Sequence, residues 1–72
     1  MENNVFGERL ARTRKNRNLP RRVIAELLQM QLTAYDRYEF GTREPTLDKL
    51  VKLALYFEVS TDYLLGLVED NE

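Results

Sequence analysis

Guanidinium groups are the side chains in this sequence best equipped for chemistry, and they are unevenly placed. Residues 1–43 carry nine Arg/Lys against five Asp/Glu, a balance of +4. Residues 44–72 carry two Lys against seven Asp/Glu, a balance of −5, which returns the net charge of −1 for the chain. A planar cation with several fixed donors suits phosphate oxygens and base edges. A basic half beside an acidic half suggests one face for phosphates and another for something else, with ordinary solvated surface as the competing explanation. The rest of the inventory is mainly exclusive. There is no histidine and no cysteine, so the commonest general base, the usual zinc ligands and any disulfide framework are missing. Carboxylates, lysines and hydroxyls remain, in a domain too small to wall a useful cleft. No enzyme activity, cofactor or metal is expected.

The elements that must position these arginines are helical. Seventy-two residues make one domain, near the lower size at which one core is stable alone. A first helix is expected at about Val5 to Asn16, with Asn4 as N-cap and Phe6 and Leu10 on one face. It ends in the basic turn Lys15-Asn16-Arg17-Asn18, where Asn18 can take the left-handed conformation. A second helix begins at Pro20 or Arg21, with Ile24, Ala25 and Leu28 as its core face. A third runs from about Leu32 to Phe40, turns Tyr35 and Tyr38 inward to differing depths, and closes at Gly41. Thr46 caps a fourth, in which Leu47, Leu50, Leu53, Ala54 and Phe57 give the 3.6 period. Ser60 caps a short fifth from Thr61 to Leu65, and Gly66 ends it. The domain is placed at residues 1–67, with 68–72 as a frayed tail. No apolar run approaches the ~20 residues of a membrane span, and the start lacks the marks of a secretory signal, so no membrane partner and a cytoplasmic location are expected.

Between Arg21 and Pro45 the apolar period runs, pauses around Gln29 to Gln31, then resumes in a new phase. That is the sequence form of two short helices joined by a tight turn, a unit able to hold its second helix at a width that fits the major groove of DNA.

Four segments then carry a likeness to a known family. Phe6-Gly7-Glu8-Arg9-Leu10, Ala25-Glu26-Leu27-Leu28, Arg37-Tyr38-Glu39-Phe40-Gly41-Thr42-Arg43-Glu44-Pro45 and Tyr56-Phe57-Glu58-Val59-Ser60-Thr61-Asp62-Tyr63-Leu64-Leu65-Gly66 together resemble the XRE family of phage-repressor/Cro-type helix-turn-helix transcriptional regulators. The likeness covers residues 5–67. It implies an all-α, compact five-helix bundle of the lambda-repressor-like type, with helices 2 and 3 as the helix-turn-helix. It also implies a sequence-specific binder of double-stranded DNA, most simply a dimeric repressor on a palindromic operator. The departures from the family pattern are local. Pro20-Arg21 replaces the usual Ser-Gln, while Gln29 and Glu58 stand where glycine is usual. A non-glycine residue at such a turn costs on the order of 1 kcal/mol.

By family position, the base-contacting set is Leu32, Thr33, Ala34, Asp36 and Arg37. Arg37 is the best reader, since a guanidinium can donate twice to guanine. Asp36 can accept only from cytosine and is expected instead to orient Arg37 or Arg43. Phosphate contacts are expected from Arg21, Arg22, Thr42 and Arg43. Arg14 and Glu39 are implied to form a partly buried structural ion pair. Val23 and Leu27, four apart on the outer side of the second helix, are candidates for a protein contact with Leu32 or Phe40. Leu55 is a further outward apolar residue. The alternative function follows from that patch: a protein-interaction module, such as an antitoxin or an anti-repressor target, with weak DNA binding. The C-terminal set Tyr63, Leu64, Leu67 and Val68 is expected to make a homodimer contact, the alternative being that this segment packs back onto the first helix.

Overall fold

A computed structural model describes residues 4–69 of the chain. Within them the elements are α1 (Val5–Asn16), α2 (Arg21–Leu27), α3 (Leu32–Phe40), α4 (Leu47–Phe57) and α5 (Thr61–Leu65), with no strand among the described residues. Helix α1 lies across α3 and α5, α2 packs on α3, and α4 packs on α5. The core gathers Phe6 and Leu10 from α1, Ile24, Ala25 and Leu28 from the α2 region, and Tyr35 and Tyr38 from α3. Leu50, Leu53, Ala54 and Phe57 of α4 complete it with Val59, Tyr63 and Leu64. The two α3 tyrosines are equally and fully buried, rather than set at differing depths. Tyr38 meets Phe6 and Tyr35 edge to face, each pair of ring centroids 6.3 Å apart.

All five helices stop by one device. Leu19, Met30, Thr42, Val59 and Leu67 each donate an N–H to the carbonyl five residues back, at 2.8–3.2 Å. The residue before each donor is left-handed: Asn18, Gln29, Gly41, Glu58 and Gly66, with φ from 55 to 84°. These bonds satisfy carbonyls that a helix end would otherwise orphan. Glycine takes this conformation freely, whereas Asn18, Gln29 and Glu58 hold it at roughly 1 kcal/mol each.

The caps at the starts differ from one another. Thr46 accepts from the Lys49 N–H at 3.3 Å and Ser60 from the Tyr63 N–H at 2.9 Å, as expected. Asn4 makes no such bond. Its side-chain amide instead donates to the Glu39 carbonyl at 2.9 Å, tying the start of α1 to the end of α3. Gly7 lets the two backbones come that close: a Cβ there would lie 2.4 Å from the Glu39 oxygen and 2.6 Å from that of Tyr38.

Three expectations about apolar residues are corrected. Leu47, assigned to the α4 core stripe, is exposed, because the buried stripe begins one turn later at Leu50. Tyr63 and Leu64 are core residues and cannot form a dimer surface in the folded monomer; α5 is folded back against α1. Val68 is half-buried against the same core and its carbonyl accepts from Arg9, while Glu69 pairs with Arg9 at 3.6 Å, so these two residues of the expected frayed tail are held. Of the proposed dimer set only Leu67 is exposed. Residues 70–72 of that tail lie outside the described residues.

Candidate nucleic-acid interface

The arginines divide by what their guanidinium groups already touch. Two on α1, Arg9 and Arg14, and Arg17 just after it are committed to the fold. Arg9 donates to the carbonyls of Tyr63 and Val68 and lies 4.7 Å from the Tyr63 ring centre. Arg17 donates to the Phe57 carbonyl at 2.6 Å and stacks over that residue's ring. Arg14 grips Glu39 through two bonds of 2.7 and 3.0 Å and donates a third to the Leu19 carbonyl at 3.0 Å. The basic balance of the N-terminal half therefore overstates the free positive surface. The family resemblance set Arg14 apart, but no sequence signal separates Arg9 and Arg17 from the rest, because their acceptors lie 40 to 59 residues away along the chain.

The Arg14–Glu39 pair has the geometry expected of a structural ion pair. Its side chains keep only 10% and 7% of their exposure, and Tyr35 adds a third bond by donating its hydroxyl to Glu39. The hydrogen bond to Glu39 holds Arg14 above its usual pKa. Burial, then the same carboxylate, pushes Tyr35 far above the usual tyrosine value, so its hydroxyl stays protonated. Charge-assisted bonds in a buried site of this kind fix the end of α3 onto α1.

With that side of α3 fixed, the opposite side is presented outward. Thr33 and Arg37, four residues apart and so on one face, are both exposed. Leu32 is partly exposed and Ala34 half-buried beside them. Asp36 departs from expectation. Its carboxylate, with 19% of the side chain exposed, lies 2.8 Å from Arg21 of α2 and does not orient Arg37 or Arg43. It stands at the edge of the outward face, on the side of α3 turned to α2, and the first residue of α2 sits across from it. The ion pair links the two helices of the helix-turn-helix and leaves Arg21 partly occupied.

Around this face, Arg22 is exposed with only a loose 3.8 Å approach to Glu26. Thr42 and Arg43 are exposed in the loop after Gly41, and the Arg43 guanidinium sits 5.9 Å from the Tyr38 ring centre. The apolar patch expected at Val23 and Leu27 is much reduced: both are half-buried, and Val23 packs against the core. Phe40 does not join them. It lines an open groove with Glu8, Ala11, Arg12 and Lys15 of α1.

A helix-turn-helix family model matches residues 10–64. The chain is 39% identical over 68 residues to an uncharacterized HTH-type transcriptional regulator of Bacillus subtilis, YobD, covering 94% of this chain and 61% of that protein. It is 42% identical over 59 residues to the cryptic phage CTXphi transcriptional repressor RstR of Vibrio cholerae, covering 82% and 53% respectively. A solved transcriptional regulator from Listeria innocua shares the fold with a TM-score of 0.83 at 39% identity, covering 93% of this chain and 63% of that one. The chain thus spans 53–61% of the length of these two curated relatives.

Proposed function

The chain belongs to the XRE-type helix-turn-helix family of transcriptional regulators, and we propose that it binds double-stranded DNA sequence-specifically, as a homodimeric repressor on an operator of two-fold symmetry. One observation carries this reading: α3 is anchored through Tyr35, Tyr38 and Glu39 while Thr33 and Arg37 stand exposed on its far side. A helix so mounted enters the major groove without first having to be ordered. Arg37 reads guanine through two bonds, Thr33 contacts a neighbouring base edge, and Leu32 and Ala34 offer apolar contact to thymine methyls. Arg22, Thr42 and Arg43 hold phosphates on either side, and Arg21 contributes with the part of its guanidinium that Asp36 leaves exposed. Affinity then falls steeply with salt, since each neutralised phosphate releases counterions. Selection from a random duplex library at low salt tests the proposal. A palindromic consensus is the expected result, and no enrichment over the starting pool would reject it.

A further inference from the structure

Helix α4 carries an outward face that the fold leaves uncovered. Leu47, Val51 and Leu55 are 80%, 49% and 74% exposed, and they stand at i, i+4 and i+8 in one row along the helix. Leu55 is therefore not an isolated surface residue. Tyr56, also exposed, stands on the flank of this row. Single exposed apolar residues need no explanation, but a contiguous row does.

We propose that this face of α4 is the contact with a second copy of the chain, packed antiparallel about a two-fold axis at Val51. The inference rests on the homodimer reading above and supplies its surface. Three observations select a second copy over another occupant. The row is palindromic: Leu47 and Leu55 flank Val51 at equal distance, so a two-fold axis pairs Leu47 of each copy with Leu55 of the other. An isologous interface requires that self-complementarity. The row is also the ridge that interdigitates with its own kind when two helices cross at about −50°. Finally, the charges match. Asp48 and Lys52 each follow a row residue by one position and so share its solvent flank, while the other flank, Leu50 and Ala54, is buried in the core. In an antiparallel pair a flank meets itself reversed, which brings Asp48 of each copy beside Lys52 of the other. Both are exposed, and neither enters an ion pair among the described residues. A row of three apolar side chains with its charged flank falls short of the ~1,200 Å² that stable specific interfaces bury, so the DNA-free dimer is weak.

Sedimentation of the 72-residue chain without DNA, from about 1 to about 500 μM, brackets such an interface. A monomer–dimer equilibrium is expected for the wild type. Val51→Glu, which puts two carboxylates on the axis, should be monomeric throughout with an unchanged melting midpoint. Leu55→Glu is the second variant should Val51→Glu fail to fold. Asp48→Lys should weaken association about tenfold, and adding Lys52→Asp should restore it, which a non-specific apolar contact would not do. The chain has no cysteine, so Val51→Cys alone should give a disulfide-linked dimer on oxidation. A wild type that is monomeric at every concentration, a dimer that survives both glutamate variants in folded protein, or a charge-reversed double variant no tighter than Asp48→Lys each overturns the proposal. The regulator reading fails separately. Library selection with the monomeric variant still recovers a half-site when that reading holds.

Discussion

On the side of α3 that faces α1, nearly every polar group has a partner. Glu39 takes two bonds from Arg14 and one from Tyr35, and its own carbonyl accepts from Asn4. On the side that faces away, Thr33 and Arg37 meet solvent. The two sides belong to one nine-residue helix, yet the first is an anchor and the second an offer. The difference shows where a small domain places its rigidity. Polar bonds are concentrated behind the presented face, so that the outward side chains need no ordering of their backbone when a ligand arrives.

The comparison can be broken from the inner side most forcefully. Glu39→Ala leaves Arg14 buried without its counter-charge, and a loss of about 3–5 kcal/mol is expected in denaturant unfolding. An unchanged midpoint would remove the pair from the anchor. On the outer side, Arg37→Ala should leave unfolding unaltered while weakening binding to the selected sequence by about 1–3 kcal/mol and relaxing the base preference at one position. Should it lower the melting temperature instead, the outward face is structural and the division between the two sides is lost.

Tyr35 sharpens the inner side through pH. Below about pH 10 both folded and unfolded chains hold its phenol proton, and its contribution is complete. Above that the unfolded chain releases the proton while the folded one keeps it, because burial and Glu39 raise the folded pKa. Stability therefore falls as pH rises, by up to about 1.4 kcal/mol per pH unit from this one group. Unfolding of wild type and Tyr35→Phe at pH values between about 9 and 11 isolates it, since the other tyrosines are common to both. The difference between the two proteins should shrink with pH, and a constant difference counts against the buried hydroxyl. Tyr38 gives the smallest effect and the opposite sign. Its hydroxyl is buried without a hydrogen-bond partner among the described residues, so Tyr38→Phe should raise stability by about 1 kcal/mol. A loss on that substitution would mean that a bridging water serves the group.

Helix limits and turn conformations were legible in the sequence because they are decided within a few residues. The caps at Thr46 and Ser60 and the left-handed positions at Asn18, Gly41 and Gly66 follow from neighbours along the chain, while those at Gln29 and Glu58 came from the family resemblance. What depended on distant partners was not. Asn4 is a good capping residue by type, but the end of α3 arrives beside it and takes its amide. Leu47 fits the α4 period, but the core reaches only as far as Leu50. Tyr63 and Leu64 looked surplus to a small core because the fold of α5 onto α1 is a tertiary fact. Asp36 was placed on the reading face by its family position, and only the packing of α2 shows Arg21 opposite it. In the candidate site, the identity of the presented helix was available early. Which arginines remained free on it had to come from the packing.

The five identical helix endings have a bearing on how long the protein lasts. Three of them use residues other than glycine in a left-handed conformation, and each such ending enlarges the unfolded population about fivefold if it costs roughly 1 kcal/mol. Proteases that cleave opened chains sample that population. Backbone choices at Asn18, Gln29 and Glu58 thus bear on the protein's half-life and standing abundance as well as on its fold.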